Sequence, residues 1–376
     1  MMTKRHCLFV GHLLYGRNNI YEEQLVNHLR KEFHTFQVVS VNKAKDIPDI
    51  AENKPIKLLK AFRRPFLDEF VRFFDFLIYG IRWSRKAKTG DRVIILLSAP
   101  GEVNCAALWL KKLFGIKVVN LIIDTALGNI LSNSIWDKYN RACFQTAEKL
   151  CRKMSASMAL NPQVFSYLQL EGKPCHITKI GHTLETPNWE YTPVRTDKKI
   201  LVYTGTLIYY DGTKQLLEAM SYLDPQRYEL HIYGKGPEEA LVRQYQSKYS
   251  NIKLMGYLPN KEMKEVMASA DLLINPRIDN KMTDIFGFPS KMIEYLLSGT
   301  PVLTTRFAAM PDDYSAFVHL ITQQTGTGIA EAIDNVFRHP EELRRQMSQA
   351  AYDYVFVHHN YSRIVDNMIA FIDTVN

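Results

Sequence analysis

The chain's 376 residues exceed what one hydrophobic core ordinarily organises, so two domains with a cleft between them are the first expectation. With 46% hydrophobic and 23% charged residues and no low-complexity tract, the composition excludes disordered, fibrous and repeat architectures. A formal net charge of +8 favours anionic partners, without separating nucleic acid, anionic lipid and phosphorylated metabolites.

In chain order, Lys4 and Arg5 precede an apolar run at 7–10 that is too short for a signal-peptide core and reads as a first buried strand. A helix at 21–32 and a strand at 36–41 complete a βαβ rhythm. No stretch reaches the roughly 20 apolar residues that cross a bilayer, because Asp75 divides the most apolar candidate. A near-continuous apolar strand at 91–98, a helix at 102–114 and a strand at 117–124 indicate a parallel sheet. Five cysteines without CxxC spacing fit neither a disulfide framework nor a zinc ribbon, and a reducing cytoplasm is the expected setting.

Pro187, Pro193 and the polar residues around them read as a linker. The rhythm then restarts with strands at 199–204, 228–233, 252–255 and 271–275 alternating with helices at 212–223, 238–249 and 261–269. After Pro301-Val-Leu-Thr-Thr305, helices are expected at 327–338, 340–357 and 361–375.

Three loops of the second half carry the chemistry, because open parallel sheets bind ligands where strands end and helices begin. In Tyr203-Thr-Gly-Thr-Leu207, Gly205 lets backbone approach a phosphate and Thr206 offers a hydroxyl, or the glycine serves only a tight turn. In Tyr233-Gly-Lys-Gly-Pro237, Gly234 plays the same part and Lys235 faces an anion or solvent. The third segment starts a helix at Pro289 and Ser290 and ends it at Gly299. Lys291 in its first turn opposes the helix dipole unless an anion binds there, and Glu294 one turn on can accept two hydrogen bonds from a ribose diol. An intrahelical Lys291–Glu294 pair facing solvent is the alternative.

Together these residues resemble the large retaining family of GT-B-type glycosyltransferases that includes many bacterial capsule and lipopolysaccharide sugar transferases, most strongly over 201–305. That family has a Gly-x-Leu loop, matched by Gly205 to Leu207, and a Gly-x-Gly-Pro loop, matched by Gly234 to Pro237. Its helix carries a ribose-binding glutamate and ends in Gly-x-Pro-Val, matched by Glu294 to Val302. The resemblance implies an α/β, GT-B fold of two Rossmann-like domains facing across a cleft. The expected division is an acceptor-side domain at 1–188, a linker at 189–198, a donor-binding domain at 199–345, and C-terminal helices at 346–376 returning across the cleft. It further implies a metal-independent transferase moving a sugar from a nucleotide-diphosphate donor to a glycan or lipid-linked acceptor in cell-surface polysaccharide synthesis, with no cofactor. The sequence also lacks an Asp-x-Asp metal-diphosphate motif.

The family's first glutamate would stand at Phe286, so contact with the donor sugar passes to backbone at Gly287 and Phe288 or to Asp284. Its diphosphate-gripping arginine and lysine correspond to Thr206 and Asp211, leaving that charge to Lys291, Arg277 or Lys214. The implied donor site is therefore Gly205, Thr206, Gly234, Lys235, Arg277, Gly287, Phe288, Pro289, Ser290, Lys291 and Glu294, with Lys291 catalytic. On the acceptor side Gly11, His12, Tyr15 and Asp124 face the cleft in this fold, or take buried and capping roles. Two other readings stand beside transfer: a non-catalytic scaffold that has lost the first glutamate, and a sugar-nucleotide epimerase needing no acceptor.

Residues 57–88 hold nine basic residues against three acidic ones, with Phe62, Phe66, Phe70, Phe73 and Leu77 at helical spacing. The segment lies on an anionic membrane surface, or its aromatics pack into the first core while the bases stay solvated. Nucleic acid is not an expected partner, since no recognised binding module accompanies the bases.

Overall fold

The computed structural model describes residues 4–11, 20–41, 56–60, 67–87, 90–123, 142, 145–182, 184, 188–191, 197–278, 288–307 and 309–375. His12, Tyr15, Asp124, Asp284, Phe286 and Gly287 lie outside the described residues. The chain forms two compact units, one of residues 1–183, 285–287 and 361–376, the other of residues 184–284 and 288–360. The C-terminal segment expected as one piece at 346–376 is thus divided at Tyr361.

In the first unit, seven parallel strands run in the order β3-β2-β1-β4-β5-β6-β7: β1 (Arg5–Gly11), β2 (Thr35–Ser40), β3 (Ile56–Leu58), β4 (Asp91–Leu97), β5 (Lys117–Ile122), β6 (Ala156–Ala159) and β7 (Cys175–Ile177). Both sheet faces are covered, which is why β1 and β4 read as unbroken apolar runs. Cys7, Phe9, Val93 and Ile95 pack beneath α1 (Ile20–Glu32) and the chain's last helix, Tyr361–Thr374, whose Tyr361 stacks on His28 with ring centroids 5.6 Å apart. Leu8, Val10, Ile94 and Leu96 face the other way, against α2 (Leu67–Lys86) and α3 (Gly101–Phe114). A Cβ on Gly80 of α2 would lie 2.2 Å from a Leu110 methyl of α3, so the glycine lets the two helices approach. Behind β6 comes the short helix α4 (Gln163–Tyr167).

Strands β3, β6 and β7 have no counterpart in the sequence reading. Each has only three or four residues, too few for a periodic signal to stand out. The aromatic stripe of residues 57–88 is corrected as well. Phe73 and Leu77 pack against the core, and α2 instead exposes Leu67, Phe70, Phe74 and Ile78. Among the described residues no helix is long and apolar enough to cross a membrane.

The second unit holds six parallel strands in the order β10-β9-β8-β11-β12-β13: β8 (Lys199–Thr204), β9 (Tyr228–Tyr233), β10 (Ile252–Gly256), β11 (Leu272–Asn275), β12 (Val302–Thr305) and β13 (His319–Ile321), the last unanticipated. The crossovers run through α5 (Thr213–Met220), α6 (Glu239–Lys248), α7 (Asn260–Ser269), α8 (Lys291–Leu296) and a 3-10 turn at Asp312–Ala316, and α9 (Gly326–Arg338) follows the last strand. Then follow α10 (Glu341–His358) and the last helix, α11. Leu201, Leu230, Leu272 and Leu303 from four strands meet Leu216 and Ile333 in one core. Counted from β8 the strand order is 3-2-1-4-5-6, which places the topological switch point between β8 and β11, where this sheet class opens a crevice at its carboxyl ends.

Candidate functional site

Residues from three separate segments converge at that switch point. The loops after β8 and β9 are laced together by backbone: Gly205 N–H donates to the Tyr233 carbonyl at 3.0 Å, and Leu207 N–H to the Lys235 carbonyl at 3.0 Å. A Cβ on Gly234 would fall 1.9 Å from the Gly205 carbonyl oxygen, and one on Gly236 2.3 Å from that of Leu207. These glycines are required because two backbones touch. Gly212 follows at φ +74°, and a Cβ there would lie 2.0 Å from the Pro276 carbonyl in the loop after β11. Ile278 N–H then donates to the Tyr210 carbonyl at 3.0 Å, tying the β8 and β11 loops to each other.

Into this frame α8 carries Lys291. The helix has only six residues, shorter than the expected span from Pro289 to Gly299, and Ser290 makes no side-chain cap bond. A dipole argument therefore carries little weight, and the ammonium itself remains. Lys291 Nζ lies over the Tyr203 ring at 4.5 Å from its centroid and 3.9 Å from Asp211 Oδ2. A Cβ on Gly205 would lie 3.3 Å from it. The nitrogen is buried and has no hydrogen-bond partner among the described residues. Burial lowers its pKa to about 8, opposed by the nearby Asp211 carboxylate and reinforced by Arg277. A desolvated ammonium held by one carboxylate at 3.9 Å and an aromatic face leaves its three donors to a ligand.

Sequence reasoning placed Asp211 only as the residue standing where a lysine is usual. In the structure it is the counter-ion of Lys291, and neither the pairing nor the Tyr203 platform was anticipated. The sequence leaves open an intrahelical pair with Glu294, but among the described residues Lys291 pairs with Asp211. The Tyr203 hydroxyl donates to the Thr206 carbonyl at 2.9 Å, fixing the ring beneath the ammonium. From α8, Tyr295 accepts from Thr204 N–H at 2.8 Å, which docks the helix onto the end of β8.

The other expected donor residues divide. Glu294 is exposed on α8. Burial raises its carboxyl pKa, with Lys264 pulling the other way. Thr206 is exposed at the loop crest, and Arg277 is half-buried, its carbonyl accepting from Thr305 Oγ1 at 2.6 Å. Lys235 is exposed, 5.6 Å from the Tyr257 ring centroid. Lys214 pairs along α5 with Glu218 at 3.7 Å. The side chain of Phe288 joins an aromatic cluster with Phe307, Tyr314 and His359, and buried Pro289 follows it, so these two anchor the entry to α8 while Ser290 is exposed. In the first unit, Gly11 ends β1 where a Cβ would strike the buried Glu22 carboxylate at 2.1 Å.

The strand orders and the structural comparisons agree on one architecture, the GT-B fold of two parallel α/β units. Residues 198–339, the body of the second unit, match the family described as Glycosyl transferases group 1. A putative colanic acid biosynthesis glycosyltransferase of Salmonella typhimurium is 30% identical over 107 residues, covering 27% of this chain and 26% of its own length, so the likeness spans about a quarter of that relative. Among solved structures, sucrose-phosphate synthase from Thermosynechococcus elongatus superposes with a TM-score of 0.72 at 17% identity over 98% of both chains. Anabaena Alr3699/HepE in complex with UDP gives 0.71 at 13% identity over 99% of this chain and 100% of its own. At such identities the structural likeness establishes the fold.

Proposed function

We propose that the chain transfers a sugar from a nucleoside-diphosphate donor to a glycan or lipid-linked acceptor in cell-surface polysaccharide synthesis, at the cytoplasmic side. The observation that carries the reading is Lys291, a buried ammonium without a hydrogen-bond partner among the described residues, at the switch point between β8 and β11. A diphosphate meeting it would satisfy a charge whose desolvation the protein already bears. The UDP in the Anabaena neighbour supports a nucleotide of that kind, and the colanic acid relative supports a polysaccharide product.

As the glycosidic bond to the donor breaks, negative charge grows on the departing diphosphate. Lys291, with Arg277 alongside, stabilises that charge in a water-poor setting, the task a divalent ion performs in other transferases, which supports metal-independent transfer. The 205–207 and 234–237 loops end β8 and β9 at the same crevice, Thr206 adds a hydroxyl, and Glu294 is the proposed acceptor for the ribose diol. Retention of anomeric configuration rests on the resemblance of the loops to retaining transferases. Gly11, His12, Tyr15 and Asp124 remain the proposed acceptor-side residues.

A panel of radiolabelled nucleotide sugars tests the proposal, with label expected in glycan or as free sugar from at least one donor. If no donor is consumed and calorimetry detects no nucleotide, the scaffold reading replaces it. Glu294→Ala sharpens the assignment: nucleotide binding is expected to weaken about tenfold, as for loss of hydrogen bonds to a charged acceptor, with an unchanged melting temperature. Unaltered affinity would remove Glu294 from the site.

A further inference from the structure

The structure separates two faces of α2 that the sequence blended. One face, with Phe76, Gly80 and Trp83, is buried on the sheet and α3. The other presents Leu67, Phe70, Phe74 and Ile78, spaced one turn apart, and Phe70 keeps 64% of its surface exposed. Single exposed apolar residues are ordinary, whereas a row of four along one helix is not.

Helix α3 extends the row. Arg72 pairs with Glu102 at 2.8 Å and Gly80 lies against Leu110, so the two helices run side by side in parallel. Trp109 and Leu113 of α3, 54% and 56% exposed, therefore stand level with the C-terminal half of α2. At that same end lie Arg82, Arg85 and Lys86 of α2 and Lys112 of α3, all exposed and none paired among the described residues. The acids of these helices lie toward their N-terminal halves: Asp75 holds Lys57 at 3.0 Å, Glu102 holds Arg72, Asp68 is buried and Glu69 is half-buried. What reaches solvent is an apolar ridge bordered by uncompensated positive charge.

We infer that the α2–α3 face docks the protein onto an anionic phospholipid bilayer, with Phe70, Phe74 and Trp109 entering the headgroup boundary and Arg82, Arg85 and Lys86 pairing with lipid phosphates. The chemistry selects this occupant. Apolar rings beside free guanidinium and ammonium groups satisfy both layers of a charged interface at once, while the overall charge of +8 adds long-range attraction. The inference goes beyond sugar transfer and is tested without it.

The test is sedimentation of the full chain with sucrose-loaded vesicles of phosphatidylcholine alone or mixed with phosphatidylglycerol. The protein is expected in the pellet with the anionic vesicles and in the supernatant with the neutral ones. Phe70→Ser combined with Phe74→Ser should reduce partitioning about tenfold, and Arg82→Glu with Arg85→Glu should abolish the preference for anionic lipid. All four residues are exposed, so melting temperatures should stay at the wild-type value, and a variant that melts lower is replaced by Trp109→Ser. Wild-type protein that stays in the supernatant overturns the inference, as does a phenylalanine pair variant that pellets like wild type. A dimer in light scattering that the phenylalanine variant dissolves assigns the face to a second copy instead.

Discussion

The two units share the strand order 3-2-1-4-5-6, with a seventh strand added in the first, yet their switch points present side chains of opposite type. Where β1 ends, Gly11 touches the buried carboxylate of Glu22. Where β8 ends, Gly205 lies beside the ammonium of Lys291. The same backbone solution to the βαβ problem thus meets an acidic side chain in one unit and a basic one in the other. Topology opens a crevice, and one or two buried charges decide what enters it.

The most severe way to break this contrast is to remove the cation. Lys291→Ala is expected to lower turnover about 10²- to 10³-fold, with a smaller effect on donor affinity, because the charge it meets develops fully only as the diphosphate departs. Steady-state kinetics check this, and a raised KM at unchanged kcat would make Lys291 a binding group only.

The second comparison concerns backbone. Gly212 has φ +74° with the Pro276 carbonyl 2.0 Å from a would-be Cβ, whereas Gly115, ending α3 at φ +63°, has open space. Gly212→Ala should destabilise the second unit by about 2 to 3 kcal/mol, combining left-handed strain with a clash. Gly115→Ala should cost only about 1 kcal/mol, the left-handed penalty alone. Denaturant titration of each variant measures the gap. Equal effects would show that the β8 and β11 loops part easily, contrary to a preformed crevice.

Asp211→Asn should give the smallest effect. Asp211 raises the pKa of Lys291 against the burial that lowers it to about 8. Diphosphate binding favours the protonated lysine, so wild-type affinity should be level below that pH and fall above it. Without Asp211 the fall should begin at lower pH. At acidic pH, where the lysine stays charged in both forms, loss of the neighbouring carboxylate should raise affinity about two- to fivefold. Calorimetry with UDP across pH checks both signs, and superimposable profiles would separate Asp211 from the phosphate site.

Much of the loop geometry at the switch point was legible because its signals are local. Gly205, Gly234 and Gly236 follow strands at once, and Pro289 and Gly299 bracket α8, so each segment announces a turn or helix through its own backbone demands. Less legible was anything decided by phase or partnership. The register of α2 on the sheet turned Phe73 and Leu77 inward and Phe74 and Ile78 outward, a one-residue change that several aromatics in succession conceal. The three-residue edge strands β3, β7 and β13 gain their identity only by pairing with a neighbour already in place.

By itself, the sequence determined the α/β rhythm and the turns that follow β8 and β9, since periodicity, glycine and proline act within a few residues of one another. Only the tertiary structure decided that Lys291 rests on Tyr203 and answers to Asp211, and that α11 returns to the first unit. Burial and Coulomb interaction depend on distances through space. Residues eighty positions apart, such as Asp211 and Lys291, acquire a joint role only when the sheet brings the ends of β8 and β11 together.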